Sequence, residues 1–396
     1  MKTFTNFTLL FCLMAISPLT LSGEKKHLIL AEGNFWKPLL APNLIEHYKT
    51  INKLPFSGFV MVGNSFTKEV MHPESIVKYG QVWNEVKGLK NLYPNKHNFM
   101  QINMDFPADF WDDQAWANVT NNFSIVAKVA KDLNFTGIVF DDEPYTINSH
   151  KMNNFKFPNK SEISSQSKKW EIKGSEPKWV DQKGYRNSKY DFQEHINQVR
   201  LRFKTIMQEM VKAYPNLTLL VYNGASFAHV NSNRENIIVT DVGLPREHEY
   251  KGAIFTGFKA GLDLNATLHD MGESYKYRTD KHFQQAYQWR KYNIAKDSYN
   301  RVDHSYQWSI PTQERASWSN DVQVGFMVFN KGQESNYKEY NTQDKSSLKD
   351  IKITLTKALK YSDKYVIYYC QDQDWLLPNQ QHPLEKKWMK MMKKLP

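Results

Sequence analysis

Short runs of consecutive apolar residues alternate along this chain with longer segments in which apolar residues recur every three or four positions. The short runs read as strands at His27–Ala31, Gly58–Val62, Phe99–Met104, Gly137–Asp141, Leu217–Val221, Ala266–Asp270, Gln323–Val328 and Tyr365–Cys370. Stretches such as Gly-Phe-Val-Met-Val and Gly-Ile-Val-Phe have no polar alternate position, the pattern of strands covered on both faces. Between them, Val119, Phe123, Val126, Ala130 and Leu133 form one helical stripe. Phe192, Ile196, Val199, Phe203, Ile206 and Met210 form a second, and Leu348, Ile351, Leu355 and Ala358 a third. Asp112 and Asp113 stand where they can cap the first of these helices, and Asp191 the second. Strand and helix in alternation predict a parallel sheet with helical crossovers, and eight strands predict an α/β fold, a (β/α)8 TIM-type barrel. Residues 23–396 are expected to form it as a single domain, with long loops over the C-terminal face of the strands.

Two connections break the rhythm. One runs from Thr146 to about Lys189 and carries Trp170, Trp179 and Tyr185. The other runs from Ser298 to Asp321 and carries Tyr306, Trp308 and Trp318. Loops that follow barrel strands rise over the active face, so the first is expected to overhang the end of the fourth strand.

The N-terminus changes the picture of where the chain works. Lys2, an apolar run from Leu9 to Ile16, and small residues at Thr20 and Ser22 read as a secretory signal over residues 1–22, cleaved near Ser22–Gly23. That run is too short to span a bilayer, which takes about 20 residues, so no stable membrane anchor is expected after cleavage and the protein should be secreted or periplasmic. Of two cysteines, Cys12 leaves with the signal and Cys370 remains, which excludes a disulfide within the mature chain. The net charge is +11, yet its Lys and Arg are scattered. No basic stripe interleaves with strand aromatics, so no nucleic-acid partner is expected. Six N-x-S/T sequons, at Asn118, Asn122, Asn134, Asn159, Asn216 and Asn265, follow the signal.

Candidate chemistry gathers at the strand ends. The fourth strand ends in Asp141-Asp142-Glu143, and Pro144 stops it. Alternation along a strand puts Asp141 and Glu143 on one side and Asp142 on the other. Two adjacent carboxylates cannot both ionise freely, so one becomes a usable general acid; the same carboxylates could instead hold a divalent cation or form a solvated turn. Glu32 and Trp36 follow the first strand, Asn103 and Asp105 end the third, and Tyr222 and Asn223 end the fifth. Asp270, Glu273 and Tyr275 follow the sixth, and Asp374 and Trp375 the eighth, while Tyr145 lies just past the acidic cluster. Carboxylates and amides bond to hydroxyls, and aromatic rings stack on the apolar faces of pyranoses, so an oligo- or polysaccharide is the expected partner.

The segment Phe135-Thr-Gly-Ile-Val-Phe-Asp-Asp-Glu143 resembles the fourth-strand signature of chitinase-like glycoside hydrolases, within the wider superfamily of (β/α)8-barrel glycosidases. Gly137, Asp141 and Glu143 match that signature; Thr136 and Val139 stand where it has Asp. The resemblance implies that Glu143 protonates the glycosidic oxygen, that Asp141 orients the substrate, and that Trp375 forms a floor for a sugar. An ordinary two-carboxylate mechanism would instead draw a partner from Glu273 or Asp270, then Asp374 or Glu32. The sequence therefore predicts an exported glycoside hydrolase with no cofactor and no metal. It leaves two alternatives, a non-catalytic carbohydrate-binding barrel and a metal-dependent phosphoester hydrolase. The expected catalytic residues are Glu143, Asp141, Glu273 and Asp270, and the expected binding residues Trp36, Glu32, Asp105, Tyr145, Asn223, Tyr275 and Trp375.

Overall fold

A computed structural model of the chain describes residues 25–32, 39–72, 74–104, 110–142, 192–227, 251–272, 274, 277–295, 310–330, 347–370, 375 and 386–396. Its strands are β1 (His27–Glu32), β2 (Gly58–Met61), β3 (Phe99–Asn103), β4 (Gly137–Asp141), β5 (Thr218–Val221), β6 (Thr267–Asp270), β7 (Val322–Val324), β8 (Phe326–Asn330) and β9 (Tyr365–Cys370). All pair in parallel, in the order β7-β6-β5-β4-β3-β2-β1-β9-β8. β7 and β8 are two halves of the single seventh strand that the sequence predicts, parted at Gly325. The first half pairs with β6 and the second with β9. Hydrogen bonds from Gly325 N to Asp270 O (2.9 Å) and from Met327 N to Gly272 O (3.2 Å) carry the β6 side past the break, so the sheet closes into a ring of eight.

The register fixes the geometry of the ring. Continuing each ladder's offset, Tyr369 leads through Ala31, Val60 and Phe99 to Gly137, then through Thr218 and Thr267 to Asp321 and Tyr361. The circuit returns eight residues lower on the strand it left, a shear of eight for eight strands. Residues at one height are therefore offset by one residue per strand.

Alternation then divides the core in two. Ile29, Ala31, Val60, Phe99, Val139, Leu220, Tyr222, Met271, Met327, Tyr365 and Ile367 fill the barrel. Their neighbours in sequence, such as Ile138, Phe140 and Leu268, face the helices. Helices Asp113–Asp132, Phe192–Ala213 and Leu348–Tyr361 bury the three predicted stripes, the second from Ile196 onward. The Asp112 carboxylate accepts from Ala115 N at 2.9 Å, so this predicted cap is formed; Asp191 lies outside the described residues. Gly137 can only be glycine, because a Cβ there would sit 1.9 Å from Thr218 O.

A π turn at Trp289–Asn293 ends the helix Asp280–Gln288 and buries two cations, Arg290 and Lys291, against the seam. Arg290 Nη1 donates to Gly325 O (2.9 Å) and Met271 O (3.2 Å). Lys291 Nζ donates to Val322 O (2.8 Å) and pairs with Asp363 (2.9 Å). Trp318, expected on a loop, is buried and donates its indole N–H to Arg290 O at 2.8 Å.

Aromatic and imidazole rings floor the barrel. His27 and His97 have centroids 3.7 Å apart, and Tyr365 Oη lies 3.0 Å from His97 Nδ1. His269 shares the inward parity of Met271 and meets the Tyr365 ring edge-on at 5.0 Å. Burial holds the His269 imidazole down to about 3 and His27 to about 4. His97 is lowered too, by burial first and then by Lys364 and Lys25.

Candidate functional site

Asp141 is the last residue of β4, two positions past Val139, which lies inside the barrel. Its carboxylate therefore turns to the axis at the C-terminal mouth. In register beside it on β3 is Asn103. One layer lower, Gln101 joins three inward groups. It accepts from Tyr222 Oη (3.2 Å), donates to Asn103 Oδ1 (2.7 Å) and lies 3.5 Å from Asp141 Oδ2. Gln101, Asn103 and Asp141 are all buried. Such groups persist in a core only when hydrogen-bonded, and this row supplies partners for both ends of the Gln101 amide and for Asn103 Oδ1.

Asp142 faces the other way and is 1 % exposed. Its Oδ1 accepts from Asn223 N (2.9 Å) and Asn223 Nδ2 (2.8 Å). The central acid of the cluster thus fixes the chain where β5 leaves the barrel, and with it the predicted binding residue Asn223.

Across the mouth the wall is aromatic. Four strands from β4, the level residue on β9 is Tyr369, and the same offset sets Phe329 on β8 opposite Asn103. Phe329 and Tyr369 stack with centroids 5.3 Å apart and rings inclined by 30°. Both are partly exposed, unlike most of the inner core. Neither was singled out in the sequence. Ending the seventh strand at Val328 hid Phe329, and Tyr369 read as one more residue of an apolar strand. Gln101 was hidden likewise, in mid-strand rather than at a strand end.

Three expectations are corrected. Trp375 is not a solvent-facing floor. It is fully buried on the outer side of the wall, edge-on to Phe56 (5.0 Å) and Tyr368 (6.0 Å). Glu32 shares the outward parity of Leu28 and Leu30, and its carboxylate accepts from Trp375 N at 2.6 Å. Asp270 has the outward parity of Leu268; its carboxylate lies 3.9 Å from Arg290 Nε, and a Cβ on Gly224 would run into it at 2.2 Å. Strand-end position alone could not tell Glu32 and Asp270 from Asp141; parity does. Glu143, Glu273, Trp36, Asp105, Tyr145, Tyr275 and Asp374, and the loop from Thr146 to Lys189, lie outside the described residues. Among the described residues no three His, Cys, Asp or Glu side chains gather as a metal-ligand set, and no helix is long and apolar enough to cross a membrane.

No protein-family model and no curated protein matches the chain. Among solved structures it is similar to a GH18 chitinase from Pseudoalteromonas aurantia, at 9 % identity over 88 % of this chain and 97 % of that one, with a TM-score of 0.37. An endo-1,4-beta-mannanase from Eisenia fetida gives 10 % identity over 94 % and 91 %, with a TM-score of 0.42. A glycoside hydrolase family 5 enzyme from Prevotella bryantii B14 gives 9 % over 89 % and 85 %, with a TM-score of 0.39. These neighbours are glycoside hydrolases; the barrel itself rests on the strand order and register above.

Proposed function

We propose that the protein is an exported glycoside hydrolase that binds an oligo- or polysaccharide across the C-terminal mouth of its barrel. Glu143 is its general acid, and Asp141 is the second carboxylate of the acidic cluster. The observation that carries this reading is the two-sided mouth. Asn103 and Asp141 offer a hydrogen-bonding wall, and Phe329 and Tyr369 offer a flat apolar wall at the same height opposite. A pyranose ring has both kinds of surface, hydroxyls at its edge and C–H groups on its faces. A mouth with both kinds of wall suits a small ring.

In this mechanism Glu143 donates its proton to the glycosidic oxygen as the bond breaks, and then takes one from the water that replaces the leaving group. Asp141 supports the positive charge that develops on the sugar. Because Asp270 is held by Arg290 outside the barrel, a second reacting carboxylate comes from Glu273 or Asp374. The same withdrawal of Asp270 favours the second reading, a carbohydrate-binding barrel without turnover.

The test incubates the purified mature protein with chitin, β-mannan, cellulose and xyloglucan and assays reducing ends. Release from one of them supports the enzyme. Binding without release supports the second reading, and neither binding nor release sinks both. Sequencing the N-terminus of protein recovered outside the cytoplasm tests export, with a start at Gly23 expected.

A further inference from the structure

Asn103 is fully buried, and among the described residues its Nδ2 has no hydrogen-bond partner. Buried amide donors are rarely left so. The neighbours explain its orientation. Tyr222 Oη donates to Gln101 Oε1, which leaves Gln101 Nε2 to face Asn103. Gln101 Nε2 then donates to Asn103 Oδ1 at 2.7 Å. With its oxygen drawn toward the barrel interior, Asn103 must present its NH2 group to the other side, the mouth. Asp141 stands next to it in register.

We propose that Gln101 is a positioning residue which sets Asn103 Nδ2 and the Asp141 carboxylate as a donor and an acceptor for one sugar hydroxyl. A hydroxyl is the group that fits, since it accepts from the amide and donates to the carboxylate at once. This rests on the glycoside reading of the mouth. It adds that recognition is set one layer below, by a side chain that never touches ligand. Exchanging Gln101 for Glu removes the donor that holds Asn103 Oδ1. The Asn103 amide is then free to turn, and its alignment with Asp141 is lost.

The experiment titrates 15N-labelled protein with chitotetraose, mannotetraose and cellotetraose. The Asn103 NH2 resonances are assigned by their loss in Asn103→Asp, and Kd is measured by calorimetry. The expected result is that the tetrasaccharide which binds moves the Asn103 NH2 signals. Gln101→Glu should then weaken its Kd at least tenfold and cancel the movement. Asn103→Ala, which leaves Gln101 and Tyr222 in place, should weaken Kd to a similar degree. A tetrasaccharide that binds with the Asn103 signals unmoved overturns this inference and leaves the glycoside reading standing. So does a Kd within twofold of wild type in either variant. Failure of all three sugars to bind overturns both.

Discussion

Lowering the pH from neutral should destabilise this protein through a histidine inside the barrel. His269 is wholly buried against the Tyr365 ring, and burial holds its imidazole down to about 3. In the unfolded chain the same group titrates near about 6.5. A histidine with a lowered folded pKa is neutral when folded and protonates on unfolding. The unfolded state then binds more protons between the two values, so stability falls as pH drops through about 6.5 and goes on falling toward the folded value. Each pH unit in that window is worth about 1.4 kcal/mol for a fully buried group, so His269 alone should remove about 2 kcal/mol between pH 7.5 and pH 5. His27 and His97 add to the slope in the same direction, but they are only partly buried and solvent screening reduces their share. His269→Leu removes the titrating group while filling a similar volume. The assay is equilibrium denaturant unfolding at pH 7.5, 6, 5 and 4. The wild type should lose stability steeply below pH 6.5, and the variant should lose about 2 kcal/mol less by pH 5. Equal slopes in the two proteins would refute the assignment of acid sensitivity to His269.

Other substitutions test the framework of the site. Asp142→Ala deletes the acceptor of both Asn223 hydrogen bonds; it should destabilise by about 2 kcal/mol or more and weaken sugar binding, read by melting and calorimetry. Gly137→Ala forces a Cβ to 1.9 Å from Thr218 O and should yield little folded protein, whereas Gly80→Ala, with nothing within 4 Å, should change stability by less than about 1 kcal/mol. Arg290→Met leaves Asp270 buried without its cation and strips two carbonyls at the seam of their donor. It should cost about 3–5 kcal/mol, measured by denaturant unfolding.

Much of this fold is legible in the chain because parallel strands covered on both faces leave a distinctive record. The continuous apolar runs locate every strand, and β4 and β9 have the predicted bounds. The helical stripes survive for the same reason: a face that must be buried stays periodic. The split of the seventh strand at Gly325 was not legible, because pairing with β6 on one side and β9 on the other is a property of closure. The site divides along similar lines. Parity within one strand put Asp141 and Asp142 on opposite sides, and the place of Val139 inside the barrel then shows that Asp141 is the one on the axis. Parity across strands was needed to see that Glu32 and Asp270 point outward, and it requires the register. Trp375 misled because nearness in sequence to the end of β9 says nothing about which side of the wall a ring packs on. Gln101 left no signal of its own: a glutamine in an apolar strand becomes informative only when Tyr222 and Asn103 are known to meet it.

The claim that the mouth of this barrel cleaves glycosidic bonds meets its most direct test in Glu143→Gln. The measurement is reducing-end release by wild type and variant on whichever polysaccharide the wild type attacks, with Kd for the matching tetrasaccharide taken on the same samples. Removing a general acid should lower turnover by a factor of about 100 to 10,000 while Kd stays within a few fold. Turnover within a few fold of wild type would contradict the account.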